Sequence, residues 1–174
     1  QILKEPALVL APETELLLFE ASRAQLVREV IKPALERGAV VISDRFTAST
    51  EVYQGMARGL DLRLIRRLNR FATDGVEPDL VIVLDVRWSE GRRRLGIKKQ
   101  DTKQVWLFGR QPDRIERLPQ EFHRRVVRGY RRLAKERGNF RLVDGTRAPE
   151  EVFADVRRFV DEIIGADKGA GSGA

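Results

Sequence analysis

The sequence predicts an α/β fold: a parallel sheet flanked in layers by helices. Three observations carry that reading. Two short apolar runs, residues 39–43 and 79–86, have the length of buried strands, and a helical stretch at 61–73 separates them. Parallel neighbours need such a crossover. A third run, 139–144, leads into another helical stretch, so strand and helix keep alternating toward the end of the chain.

Residues 15–37 place Leu16, Leu17, Phe19, Ala21, Leu26, Val27, Val30 and Ile31 at helical spacing, and Gly38 stops the run. Pro33 is expected to kink or divide this helix, because its ring displaces the carbonyl four residues earlier. Residues 39–43 then read as a strand and 61–73 as an amphipathic helix. The stretch Asp79-Leu80-Val81-Ile82-Val83-Leu84-Asp85-Val86 reads as a second strand, buried on both faces. Residues 89–95 form a short basic helix. Residues 96–111 are polar and basic without a period, interrupted by Val105, Trp106, Leu107 and Phe108, and read as a mobile segment. A helix over 119–137 follows, then the third strand, then a helix over 148–164 that Pro149 begins, with Glu150 and Glu151 in its first turn. Residues 165–174, rich in Gly and Ala, read as a disordered tail. A single domain over 1–164 accounts for everything before it, and no internal repeat is found.

Composition narrows the classes. A chain of 174 residues with 42% hydrophobic content can bury one core. With no cysteine it has no disulfide framework, thiolate metal site or cysteine nucleophile, and with no long apolar run a cytoplasmic, non-membrane protein is expected. Its 33 basic residues against 26 acidic ones leave +7, a balance that favours anionic ligands.

Most informative is the stretch from Ile42 to Gln54. It delivers Asp44, Arg45, Ser49, Thr50, Tyr53 and Gln54 to the end of a strand, where open α/β sheets bind ligands. A carboxylate, a guanidinium, hydroxyls and an amide in that place suit a phosphorylated polar ligand. The plainer alternative is a capped turn with Asp44 and Arg45 paired. His123, on a helix, reads as a packing or surface residue rather than a base.

Several sets of residues resemble the thymidylate kinases in order and spacing. They are Glu15-Leu16-Leu17-Leu18-Phe19-Glu20-Ala21-Ser22-Arg23-Ala24-Gln25, then Ser43-Asp44-Arg45-Phe46-Thr47-Ala48-Ser49-Thr50, then Tyr53-Gln54-Gly55-Met56-Ala57-Arg58-Gly59-Leu60. Pro78-Asp79-Leu80, Leu84-Asp85-Val86, Asp113-Arg114-Ile115-Glu116 and Glu121-Phe122-His123-Arg124-Arg125-Val126 extend the likeness over roughly residues 5–164.

The resemblance implies a three-layer P-loop NTPase-like fold and transfer of a phosphoryl group from ATP to dTMP with Mg2+. It also implies a homodimer. Phe19 and Arg23, one helical turn apart, match positions that place a ring under the pyrimidine and a donor at a base carbonyl; Phe19 as plain core is the alternative. Arg45 matches the arginine that holds the monophosphate with its planar fork, and Asp44 is the carboxylate for magnesium and its waters. Ser49 and Thr50 match the thymine edge, Tyr53 the ring that disfavours ribose, and Gln54 a further substrate contact. A lid over ATP corresponds to about residues 92–116. Within it Arg94 is expected at the nucleotide, while Arg110 and Arg114 are expected to stabilise charge on the transferred group. A solvated surface charge is the alternative for each lid cation, above all Arg92, Arg93, Lys98 and Lys99.

Departures from the family accompany the matches. Arg87-Trp88 stands where Asp-Pro is common, and the lid is longer. No Gly-x-x-x-x-Gly-Lys-Ser/Thr stretch occurs, and the family's Arg-Glu-Pro-Gly segment is absent. In the family both precede the helix end that Ile2-Leu3-Lys4 resembles, together with a central strand between those ending at Ser43 and Val86. The expectation is therefore a fragment with a gap of roughly 9 to 10 Å in its sheet. Alone, it would neither fold cooperatively nor turn over ATP. Two other functions are compatible with parts of the pattern: another nucleotide or nucleoside kinase of this fold, and a basic nucleic-acid-binding module. Carboxylates such as Glu116, Glu121 and Glu136 on the arginine-rich helices argue against the second.

Overall fold

The computed structural model describes residues 8–94, 115 and 118–170. Two strands, β1 (Val81–Asp85) and β2 (Phe140–Asp144), pair in parallel with Val81 opposite Phe140 and Asp85 opposite Asp144. The helices are α1 (Pro12–Leu26), α2 (Lys32–Glu36), α3 (Thr47–Thr50), α4 (Leu62–Thr73), α5 (Trp88–Arg94), α6 (Gln120–Glu136) and α7 (Pro149–Ala170). The sheet is sandwiched. Val81 and Val83 pack on the core against α6, whereas Arg141, on the other face, lays its guanidinium 5.7 Å from the Phe159 ring of α7. That gives helix, sheet and helix layers, as the periodicities predict.

α1 starts at Pro12, whose missing N–H costs nothing at a first turn, with Glu13 and Glu15 beside the positive end of the helix. Ahead of Pro33 the ladder widens into a π turn at Val27–Ile31 before resuming as α2. The expected break is therefore a widened turn in one continuous helical path: the proline removes one backbone donor and the looser turn accommodates its ring. Gly38, at φ +74°, then turns the chain out of the helix. α4 is bounded by its own chemistry. The Asp61 carboxylate accepts from Arg63 N at 2.9 Å at the start, and Asp74 adopts a left-handed φ of +50° at the end.

The core joins α3, the π segment Glu51–Ala57 that continues it, α6 and β2 through Ala48, Val52, Ala57, Phe122, Val126, Leu133 and Phe140. Gly129 lets these helices approach: a β-carbon there would lie 3.0 Å from Val52 Cγ1 and 3.1 Å from Met56 Sδ. The close contact seats α6 directly on the helix that carries the polar cluster.

Two expectations change. Residues 39–43 form no strand; Val40 and Ile42 are 70% and 94% exposed. The physical reason is pairing, since a strand needs a neighbour to satisfy its amides and carbonyls, and no described residue bonds to this run as a ladder. The last helix also continues through Ala170, into the segment read as a disordered tail. Extending a helix already formed adds one hydrogen bond per residue ordered and needs no new nucleus.

Candidate active site

The polar cluster is built on a tight turn. Ser43 Oγ donates to Arg45 O at 2.9 Å, and Arg45 itself takes a left-handed φ of +69° before Phe46 leads into α3. A long side chain in that region is strained, so the turn holds Arg45 where its ordinary backbone preference would not. Its guanidinium lies 5.0 Å from the centre of the Tyr53 ring. Asp44, adjacent and exposed, makes no hydrogen bond or ion pair among the described residues. The capped-turn alternative, with these two side chains paired, is thus not the arrangement adopted. Desolvation opposes the charge on Arg45, but Tyr53, Tyr130 and Asp44 outweigh it, so its pKa moves above the usual arginine value and the cation is secure.

Arg23 reaches the same place from α1. It is 9% exposed, and its Nη1 donates to Glu20 Oε1 at 2.5 Å and Asn69 Oδ1 at 2.9 Å. Nη2 donates to Thr50 Oγ1 at 2.6 Å and to Phe46 O at 3.2 Å. Asn69 Nδ2 donates onward to Thr47 O at 3.3 Å, so one guanidinium and one amide tie α1, α3 and α4 together. Phe19, one turn before Arg23, is half-buried rather than sealed in the core. Ser49 Oγ lies 2.8 Å from the Tyr130 hydroxyl of α6, whose ring meets Tyr53 edge-on with centroids 6.4 Å apart.

The structure therefore bonds Arg23 of α1 to Thr50 of α3, and gathers Arg45, Tyr53 and Ser49 into a second group, with Arg45 over the Tyr53 ring and Ser49 on the Tyr130 hydroxyl. Gln54 goes elsewhere. The π segment rotates it away from Tyr53, and its Nε2 donates at 2.6 Å to Glu15, a carboxylate with no exposed surface that also receives Arg58 Nη2 at 3.0 Å. Gln54 is 2% exposed and holds α1 to the π segment. Arg94 is the last residue of α5, Arg93 forms an exposed pair with Glu90, and Arg110, Arg114, Lys98 and Lys99 lie outside the described residues. His123 packs edge-on against Phe122, in keeping with the packing role expected for it.

Sequence reasoning missed Tyr130, Glu20 and Asn69. Tyr130 had a signal, falling eight residues after Phe122 and four after Val126 on the buried face of α6, a ring with a polar tip among apolar neighbours. Glu20 had one too, three residues before Arg23 on the same helix and so placed for an i,i+3 pair, whereas Asn69 had none, because only tertiary packing joins it to Arg23.

Comparison with known proteins points to one family. The thymidylate kinase family model matches residues 1–156. The thymidylate kinase of Desulfovibrio desulfuricans is 45% identical over 156 residues, which cover 89% of this chain and 70% of that protein. That of Carboxydothermus hydrogenoformans is 40% identical over 166 residues, covering 95% and 75%. Among solved structures, thymidylate kinase from Ehrlichia chaffeensis superposes with a TM-score of 0.63 at 28% identity, over 88% of this chain and 67% of that one. The likeness to that solved structure sets the class as an α/β nucleotide kinase of the P-loop NTPase type. Within that class, the chain belongs to the thymidylate kinase family.

Proposed function

We propose that these residues form the acceptor site of an ATP:dTMP phosphotransferase, with Arg45 holding the monophosphate. The observation that carries this reading is the left-handed Arg45, stacked on Tyr53 beside the Ser49 and Thr50 hydroxyls and not bound to Asp44. Phosphoryl transfer asks a protein mainly for position and for neutralised oxygen charge. Arg45 supplies both to the acceptor: its fork fits two phosphate oxygens, and the stack on Tyr53 limits where it can swing. Phe19 offers a face to the base, Arg23, Ser49 and Thr50 its edge, and Tyr53 a wall against a ribose hydroxyl. Arg94, Arg110 and Arg114 belong to the same reading as lid cations over the donor.

Magnesium fits Asp44. A single exposed carboxylate without a protein partner among the described residues suits an ion that keeps most of its waters, and the ion neutralises phosphate charge when bound. The residues contain no Gly-x-x-x-x-Gly-Lys-Ser/Thr motif, so donor-phosphate binding is not assigned to any described side chain. The cytoplasmic address expected from the cysteine-free composition stays part of this reading.

The full-length gene product tests it. Phosphorylation of dTMP should exceed that of dUMP, which lacks the methyl group, and both should far exceed that of UMP. Equal rates with UMP and dTMP would remove Tyr53 from the sugar and favour a broader nucleotide kinase.

A homodimer is the proposed assembly. Leu64 and Phe71, two turns apart on α4, are 48% and 84% exposed, and Val30 on the preceding helical path is 54% exposed, an apolar surface that a second copy would cover. Light scattering should give twice the protomer mass; a monomer at micromolar concentration would sink this part.

A further inference from the structure

Tyr130 lies outside every motif that led to the site, yet it touches the site twice. It sits midway along α6, half-buried, with its hydroxyl 2.8 Å from Ser49 Oγ and its ring edge-on to Tyr53 at 6.4 Å and 74°. Tyr53 also meets Phe122 of the same helix, with centroids 6.0 Å apart, so α6 grips that ring from two positions. Arg45 rests on the Tyr53 ring. A displacement of Tyr130 would therefore be passed to a hydroxyl and to a ring that supports a guanidinium.

We propose that Tyr130 is the positioning residue of the acceptor site, fixing Ser49 through its hydroxyl and Tyr53 through its ring edge, so that base edge, sugar wall and phosphate clamp share one register. The proposal rests on the acceptor-site reading above and deepens it. Four features support it physically. A T-shaped pair of rings has a preferred geometry, so Tyr130 restricts the tilt of Tyr53 and not merely its location. The hydroxyl contact orients Ser49, whose side chain would otherwise choose among rotamers and local backbone partners. Burial pushes the Tyr130 phenol above its ordinary pKa against the opposing Ser49 hydrogen bond, so the phenol is neutral across the working range and the contact does not titrate away. The rigid seat of α6 on the π segment at Gly129, one residue before Tyr130, keeps both contacts in place together.

The test uses the full-length gene product and its Y130F and Y130L variants, with affinities for dTMP and ribothymidine 5′-monophosphate measured by calorimetry. Y130F keeps the ring and removes one hydrogen bond, and should weaken dTMP binding roughly twofold to tenfold. Y130L also frees the Tyr53 ring, and should lower the ratio of deoxy to ribo affinity while Y130F largely preserves it. A structural role alone would reduce the melting temperature without changing that ratio. Unchanged dTMP affinity in Y130F together with an unchanged ratio in Y130L overturns the proposal. Should Y130L not fold, Y130F decides it by affinity alone. Wild-type protein that binds dTMP no better than its ribo counterpart overturns the acceptor-site reading itself, a result distinct from insensitivity to Tyr130.

Discussion

Replacing Arg45 with Ala weakens dTMP binding by about 100-fold, while affinity for thymidine, which has no phosphate, changes little. The size follows from the contact being removed. A charged donor pair on a phosphate contributes more than a neutral hydrogen bond, on the order of 1.5 to 3 kcal/mol for each bond to a charged group. The two bonds of an exposed fork fall at the low end, about 3 kcal/mol together, or roughly 100-fold. The fold should tolerate the change, because Arg45 is exposed and Ala at φ +69° is no more strained than Arg. R45G would relieve that strain and still lose the phosphate, so a more stable but equally weak binder is the companion result. The two affinities by calorimetry decide the matter. If R45A lost dTMP and thymidine affinity equally, Arg45 would be acting on the shape of the turn rather than on phosphate.

The second large effect is on stability. Glu15→Ala should destabilise the full-length protein by about 3 to 5 kcal/mol in chemical denaturation, the range for breaking a buried charged pair from one side. Glu15 is fully buried, Arg58 is 18% exposed at the side chain, and Gln54 is 2% exposed, so neither partner is readily rehydrated where it stands. Against this, the better helix propensity of Ala in α1 returns only a few tenths of a kcal/mol. Glu15→Gln retains one acceptor oxygen for Gln54 but loses the charge and puts an amide donor where the second oxygen accepts from Arg58, so it should cost less than Glu15→Ala without being neutral. A loss below about 1 kcal/mol in E15A would mean that Gln54 and Arg58 find other partners, and that the buried carboxylate is not what joins α1 to the π segment.

Arg23 shows why a residue can be recognised in sequence while its environment cannot. Its spacing from Phe19 marks one helical face, but the four acceptors around its guanidinium come from α1, α3, α4 and the turn before α3. Gln54 shows the opposite. Next to Tyr53 in sequence, it lies on a π turn, which has no simple side-chain signature, and its bond to Glu15 could not be read from its neighbours. Residues 39–43 read as a strand because composition reports how a run would pack once paired. Whether a partner lies beside it is a separate matter, and here no described residue supplies one.

What the sequence determined by itself was periodicity and punctuation: the helices α1, α4, α6 and α7, the strands β1 and β2, and the stop at Gly38, because these depend on a residue's own backbone preference and on neighbours within a few positions. The motif around Asp44 and Arg45 was legible for the same reason. Only the tertiary structure decided that Arg45 leans on Tyr53 and not on Asp44, that Gln54 turns inward, and that Tyr130 enters from a helix 81 residues after Ser49. Those outcomes follow from which helices pack together and at what rotation, and contacts between distant segments are set by the core they share rather than by any local pattern.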